Sequence, residues 1–223
     1  MSTGAWLLSH KTTQIAIQVG IAVFFLLYIR LVSASLSVLS CVDVAGYPDQ
    51  RLVADTEVVC WSGEHLSISF MAIICLMGYG FGVPLAMALV VVKNRHRLDD
   101  VKFKKVFGFL YDGFRTESAV ALSWDSVILL RRLLITTVTI LFATDAYVQA
   151  LGASLVTMAF VIAQVKVKPF TDPLHNFCEF LGLLAVLLTQ MGSLLYFYAS
   201  NKQNVAWWDD DITVGTTVLL LMM

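Results

Sequence analysis

Charge is what this sequence is short of. Lys, Arg, Asp and Glu make up only 14% of its 223 residues, against about 25% in a usual globular domain. Hydrophobic residues make up 58%. A water-soluble domain of this size could not hide so much apolar surface. Histidine is scarce and scattered, at His10, His65, His96 and His175, and no Cys or His spacing resembles a metal site. No nucleophile–base pair, metal motif or phosphate loop is legible, so neither an enzyme nor a bound cofactor is expected. Nucleic-acid binding is excluded by the same composition. No basic leader or small-residue cleavage site precedes the first apolar run, so no secretory signal is read.

Long apolar runs are what the chain does have. A spanning helix needs roughly 20 mainly apolar residues. Five runs qualify, at about 13–40, 66–92, 119–143, 148–165 and 174–199. A sixth begins at Ile212 and stops at Met223. Twelve residues rise only about 18 Å as a helix, too little for a core of about 30 Å. Lipid offers no hydrogen bonds, so each segment must satisfy its own backbone. The fold expected is an all-α, polytopic helical membrane bundle, a single transmembrane domain over 1–223. It has five complete spans, a truncated sixth and an interfacial elbow. The chain is read as continuing beyond Met223.

The charges are few but sorted. Residues 93–105 read KNRHRLDDVKFKK, with Lys93, Arg95, Arg97, Lys102, Lys104 and Lys105 against Asp99 and Asp100. Lys166 and Lys168 follow the fourth run, on the same side if every run spans. The opposite loops carry Asp43, Asp49, Asp55, Glu57, Glu64, Asp145, Asp209, Asp210 and Asp211, with Arg51 and Lys202 as their only Lys or Arg. Basic short loops mark the cytosolic face, so the N-terminus is expected in the cytosol. The membrane is the plasma membrane or an endomembrane. The basic loop is also a candidate contact for anionic lipid, the bilayer itself being the first partner. A homo-oligomer or a larger membrane complex stays open.

Cys41 and Cys60 flank the acidic first outer loop, in a compartment that is oxidising if it is luminal or extracellular. A disulfide between them is expected, with two free cysteines as the alternative. Cys75 and Cys178 read as small buried hydrophobes. The second run contains GYGFGVP, with Gly78, Gly80, Gly82 and Pro84. Proline removes a backbone donor and glycine allows close helix approach. A hinge is expected there, either a structural kink or a gate. Residues 103–114 alternate aromatic and charged side chains, which suits an elbow at headgroup depth on the cytosolic side. Gly108 and Gly113 argue against one continuous helix through it.

Arg131 and Arg132 are the least expected residues. An unpaired charge at mid-bilayer costs at least about 2.5–3.5 kcal/mol. Adjacent helix positions point about 100° apart, so one arginine faces inward while the other snorkels. Glu179 enters the membrane from the same side, and Gln164 lies at similar depth. An intramembrane polar cluster of Arg131, Arg132, Gln164 and Glu179 is expected, as a packing device or as an ion or headgroup site. Asp125 is the rival partner, on the same helix as the arginines.

LVADTEVVCWSGEH, GYGFGVPL, FGFLYDGFR, WDSVILLRR and QVKVKPFTDPLHNFCEFLGLL follow one another in that order. Together they resemble the C-terminal transmembrane module of TRP-like surface proteins of protists, algae and oomycetes. These are related to fungal TRP-like and polycystin-like channels. The resemblance covers about 37–199. It implies a helical bundle beneath a large ectodomain, with cation-channel or sensory activity. The alternative is a non-conducting membrane anchor or assembly subunit. No selectivity filter is legible, and inverted repeats, which would favour a transporter, are not evident.

Overall fold

The computed structural model describes residue 23 and residues 27–201, without the side chains of Lys102, Lys105 and residues 197–201. The start of the first expected run and all of 212–223 lie outside the described residues. What is described is predominantly helical: α1 Leu27–Leu39, α2 Gly63–Cys75, α3 Gly82–Lys93, α4 Val101–Phe107, α5 Ala119–Leu122, α6 Trp124–Leu141, α7 Ala146–Val167 and α8 Pro173–Asn201. Among the described residues, three helical stretches are long and apolar enough to cross a bilayer: Gly63–Lys93, Ala146–Val167 and Pro173–Tyr196. They match the second, fourth and fifth expected runs. Their faces are largely uncovered by protein, which makes lipid the natural solvent for them.

Local chemistry sets the boundaries. The Asp145 carboxylate caps α7, accepting from the amides of Tyr147 and Val148 at 3.1 Å each. Lys168, at φ 47°, ends that helix, and Pro169 follows. Pro173 opens α8 where its missing N–H costs nothing, and Asp172 accepts from the Leu174 amide at 2.9 Å. The third expected run is not one helix. It breaks at Ser123, whose hydroxyl donates to the Ala119 carbonyl at 2.8 Å and competes with the helical ladder. Cys178 is exposed and Cys75 half-buried, so neither is the buried hydrophobe the sequence suggested. A thiol meets lipid at little cost.

The loop between α1 and α2 departs from a purely α-helical fold. Strands β1 Cys41–Val42, β2 Arg51–Leu52 and β3 Asp55–Val59 pair antiparallel in that order. Cys41 lies opposite Leu52, and Arg51 opposite Val59. The strands are short and rich in β-branched residues.

Two apolar clusters hold α1, α3, α6 and the elbow together. Tyr28, Val32 and Leu36 of α1 pack on Leu129 and Leu133 of α6, with Tyr79 and Val83 against them. Val91, at the end of α3, packs with Leu98, Leu110, Tyr111 and Leu122, flanked by Phe103 and Phe107. A Cβ on Gly152 would stand 2.8 Å from Val138 Cγ1, so the close approach of α6 and α7 needs glycine there. At one end of the bundle the Ser40 hydroxyl donates to the Ile140 carbonyl at 3.1 Å. At the other end Phe114 bridges to Phe170. Each contact joins chain ends that alternate spanning would bring to the same side.

Candidate functional site

A guanidinium in an apolar bundle needs a partner, because lipid cannot solvate it. Arg131 on α6 finds one on α8: its Nη1 donates to Glu179 Oε1 at 3.0 Å, with only 15% and 28% of the two side chains accessible. Arg132, one position on, is exposed. It stands close enough to Asp125 to act on it electrostatically, as the i, i+7 spacing on one helix face allows.

Gln164 does not join that pair. It is 2% exposed, and its Nε2 reaches the carbonyl and Oδ1 of Asn176, each at 3.5 Å. Its Oε1 has no protein partner among the described residues. The four expected residues therefore divide. Arg131 meets Glu179, Gln164 meets Asn176 three residues earlier on α8, and Arg132 lies outside. The physical reason is helical phase: α8 turns Asn176 toward α7 and Glu179 toward α6.

Asn176 was not anticipated, although an Asn shortly after Asp-Pro at a helix start is a recognisable signal. Its Oδ1 accepts from the Phe170 amide at 3.1 Å, and its Nδ2 donates to the Phe170 carbonyl at 2.7 Å. The loop so fixed pairs with the elbow. The Arg115 amide donates to the Pro169 carbonyl at 2.8 Å, and the Thr171 amide to the Gly113 carbonyl at 2.9 Å. The Phe114 and Phe170 rings lie 5.0 Å apart. Gly113, at φ +92°, provides the turn.

The expected hinge is a π-helical segment, Leu76–Phe81, inserted between α2 and α3. Pro84 has no N–H for the carbonyl four residues back, which is that of Gly80. The buried Tyr28 hydroxyl on α1 donates to this carbonyl at 2.6 Å. A Cβ on Gly80 would meet Leu76 Cδ1 at 3.1 Å, whereas Gly78 has open space beside it. Of the three glycines, Gly80 is the one with the tightest surroundings. Tyr28 was missed. A tyrosine inside an apolar run must find an acceptor, and Pro84 leaves one.

At the opposite end from the elbow, Cys41 and Cys60 form a disulfide with Cα atoms 6.4 Å apart. The His65 ring lies beside it, and the Cys41, Cys60 and His65 ligand atoms all fall within 4.8 Å of one another. The sulfurs are bonded to each other and offer no thiolate to a metal. His65 is buried. Its Nδ1 accepts from the Trp61 amide at 3.0 Å and lies 3.2 Å from Ser69 Oγ. That assigns the proton to Nε2, which donates to the Val38 carbonyl at 3.1 Å. Trp61 sits at φ 60°, a conformation this bond helps to hold.

The basic loop carries two ion pairs, Arg97–Asp100 and Lys104–Asp112, both at 3.4 Å. Tyr111 donates to the Leu98 carbonyl at 2.8 Å. Burial pushes its hydroxyl above the ordinary value, which keeps it a donor. No family model, curated protein or solved structure matches this chain.

Proposed function

We propose that this chain is a multi-pass membrane module of channel or sensor type, of the kind its TRP-like resemblance implies. It crosses the bilayer at about 13–40, 66–92, 119–143, 148–165 and 174–199, and begins a sixth crossing at 212–223. Its N-terminus is cytosolic, in the plasma membrane or an endomembrane. Sidedness is supported by the Ser40–Ile140 contact at one end and the Phe114–Phe170 bridge at the other, and by the basic residues gathered near that bridge.

The observation that carries the functional reading is the π segment with Tyr28 bonded to Gly80. Such segments cluster at functional sites and loosen a helix locally. The hinge is held by one hydroxyl from another helix, so a small change in packing can release it. Reconstitution of the chain in planar bilayers tests this. Wild type is expected to pass cations, and Tyr28→Phe to change its opening probability. Silence from both, in protein shown to be folded, rejects conduction.

The second reading, a non-conducting anchor or assembly subunit, is favoured by the Arg131–Glu179 pair. Each charge there neutralises the other, leaving neither for an ion. The broad apolar face of Gly63–Lys93 suits lipid, a second copy or a larger membrane complex.

A further inference from the structure

The second apolar cluster fixes where α4 stands. Phe103 and Phe107 of α4 pack on a group that includes Val91, in the last turn of α3. If α2–α3 crosses the bilayer, α4 is therefore held at the level where that crossing ends. The Tyr111–Leu98 hydrogen bond and the Phe114–Phe170 bridge tie the elbow to the bundle. The outward face of α4 is thus set by packing.

That face is apolar where a water-bathed face would be polar. Val101 is 68% exposed and Val106 44%, and Phe109, just past the end of α4, is 44% exposed. At helical spacing, residues 102 and 105 fall between them, and both are lysine. Exposed apolar residues beside a basic loop suit a bilayer surface: the apolar groups enter the acyl boundary and basic groups meet phosphate. The charges nearby are not all satisfied within the protein. Arg97 and Lys104 have acidic partners, but Lys93 and Arg95 are exposed and have no ion-pair partner among the described residues.

Resting on the spanning reading above, we infer that α4 lies on the cytosolic leaflet as an anionic-lipid platform. Val101, Val106 and Phe109 rest in the acyl boundary, and Lys93 and Arg95 hold the phosphate groups of anionic phospholipid. The partner is a lipid surface, because the exposed apolar residues of this face have no use in binding a free anion.

The full chain tests this in vesicles of phosphatidylcholine with a minor fraction of phosphatidylserine. In a Cys75→Ser, Cys178→Ser background, nitroxide labels are placed singly at Val101→Cys, Val106→Cys and Leu188→Cys. Relaxation by oxygen against a water-soluble nickel complex then reports depth. The labels at 101 and 106 are expected to read as lipid-immersed and shallow, and that at 188 as deep. Spin-labelled phosphatidylserine is expected to associate more strongly than spin-labelled phosphatidylcholine. Lys93→Gln with Arg95→Gln should lower that preference by up to about five-fold per charge removed. Labels at 101 and 106 in water overturn the inference. So does an unchanged lipid preference in the double variant. A label at 188 in water sinks the spanning reading itself, and this inference with it.

Discussion

The two ends of this bundle are fastened by different chemistry. At one end a covalent Cys41–Cys60 link closes a three-stranded sheet, and His65 bonds it to α1 through the Val38 carbonyl. At the other, the elbow and the α7–α8 loop are held by backbone hydrogen bonds and the side chains of Asn176 and Thr171. A disulfide persists only where thiols are not kept reduced. At the elbow end the same task falls to a side chain that can donate and accept at once. Asparagine does so with one rotamer fixed.

The comparison breaks most severely at Glu179. Glu179→Ala leaves the Arg131 guanidinium without a partner in apolar surroundings and should cost about 3–5 kcal/mol. Glu179→Gln keeps an acceptor and should cost less. The double change Arg131→Met with Glu179→Leu should recover most of the loss. Thermal unfolding of the solubilised protein, followed by circular dichroism, ranks the three. Equal melting of wild type and Glu179→Ala would mean the pair stabilises nothing.

Cys41→Ser comes next. Releasing a closure of this length costs roughly 3 kcal/mol in a chain-entropy model. Hydrogen exchange should accelerate in β1, β2 and β3 while the amides of Phe114, Arg115, Phe170 and Thr171 keep their protection. Acceleration at both ends would show that the fastenings are coupled.

Asn176→Ala is the smallest and the mirror experiment. It removes two bonds to Phe170 and strands the Gln164 amide, at about 1–3 kcal/mol. Exchange should quicken at the amides of Phe114, Arg115, Phe170 and Thr171 and stay slow in the sheet. Asn176→Asp keeps the acceptor for the Phe170 amide but loses the donor, and should fall between.

The apolar runs were legible because lipid imposes one rule on every residue of a span. Runs 66–92, 148–165 and 174–199 lie inside the three long apolar helices within a few residues. The disulfide was legible for a related reason, since two cysteines bracketed one acidic loop. What escaped were features depending on partners distant in sequence. Strands of two residues carry no periodic signal, and their pairing depends on the loop being closed. Gln164 was placed with Glu179 by depth alone, yet helix phase sends it to Asn176. His65 gives no hint of burial until Trp61, Val38 and Ser69 gather around it.

One contact carries a further meaning for how the chain is built. Pro84 leaves the α2–α3 rod with a carbonyl at Gly80 that its own α-helical ladder cannot serve, and the hydroxyl that serves it belongs to the preceding helix. The second apolar segment is therefore not self-sufficient in hydrogen bonds, as a lone segment in hydrocarbon would have to be. It is completed by a neighbour that leaves the ribosome earlier. The order of synthesis makes the donor before the acceptor. A chain rearranged to put α1 after α3 would insert its proline helix with that carbonyl unserved.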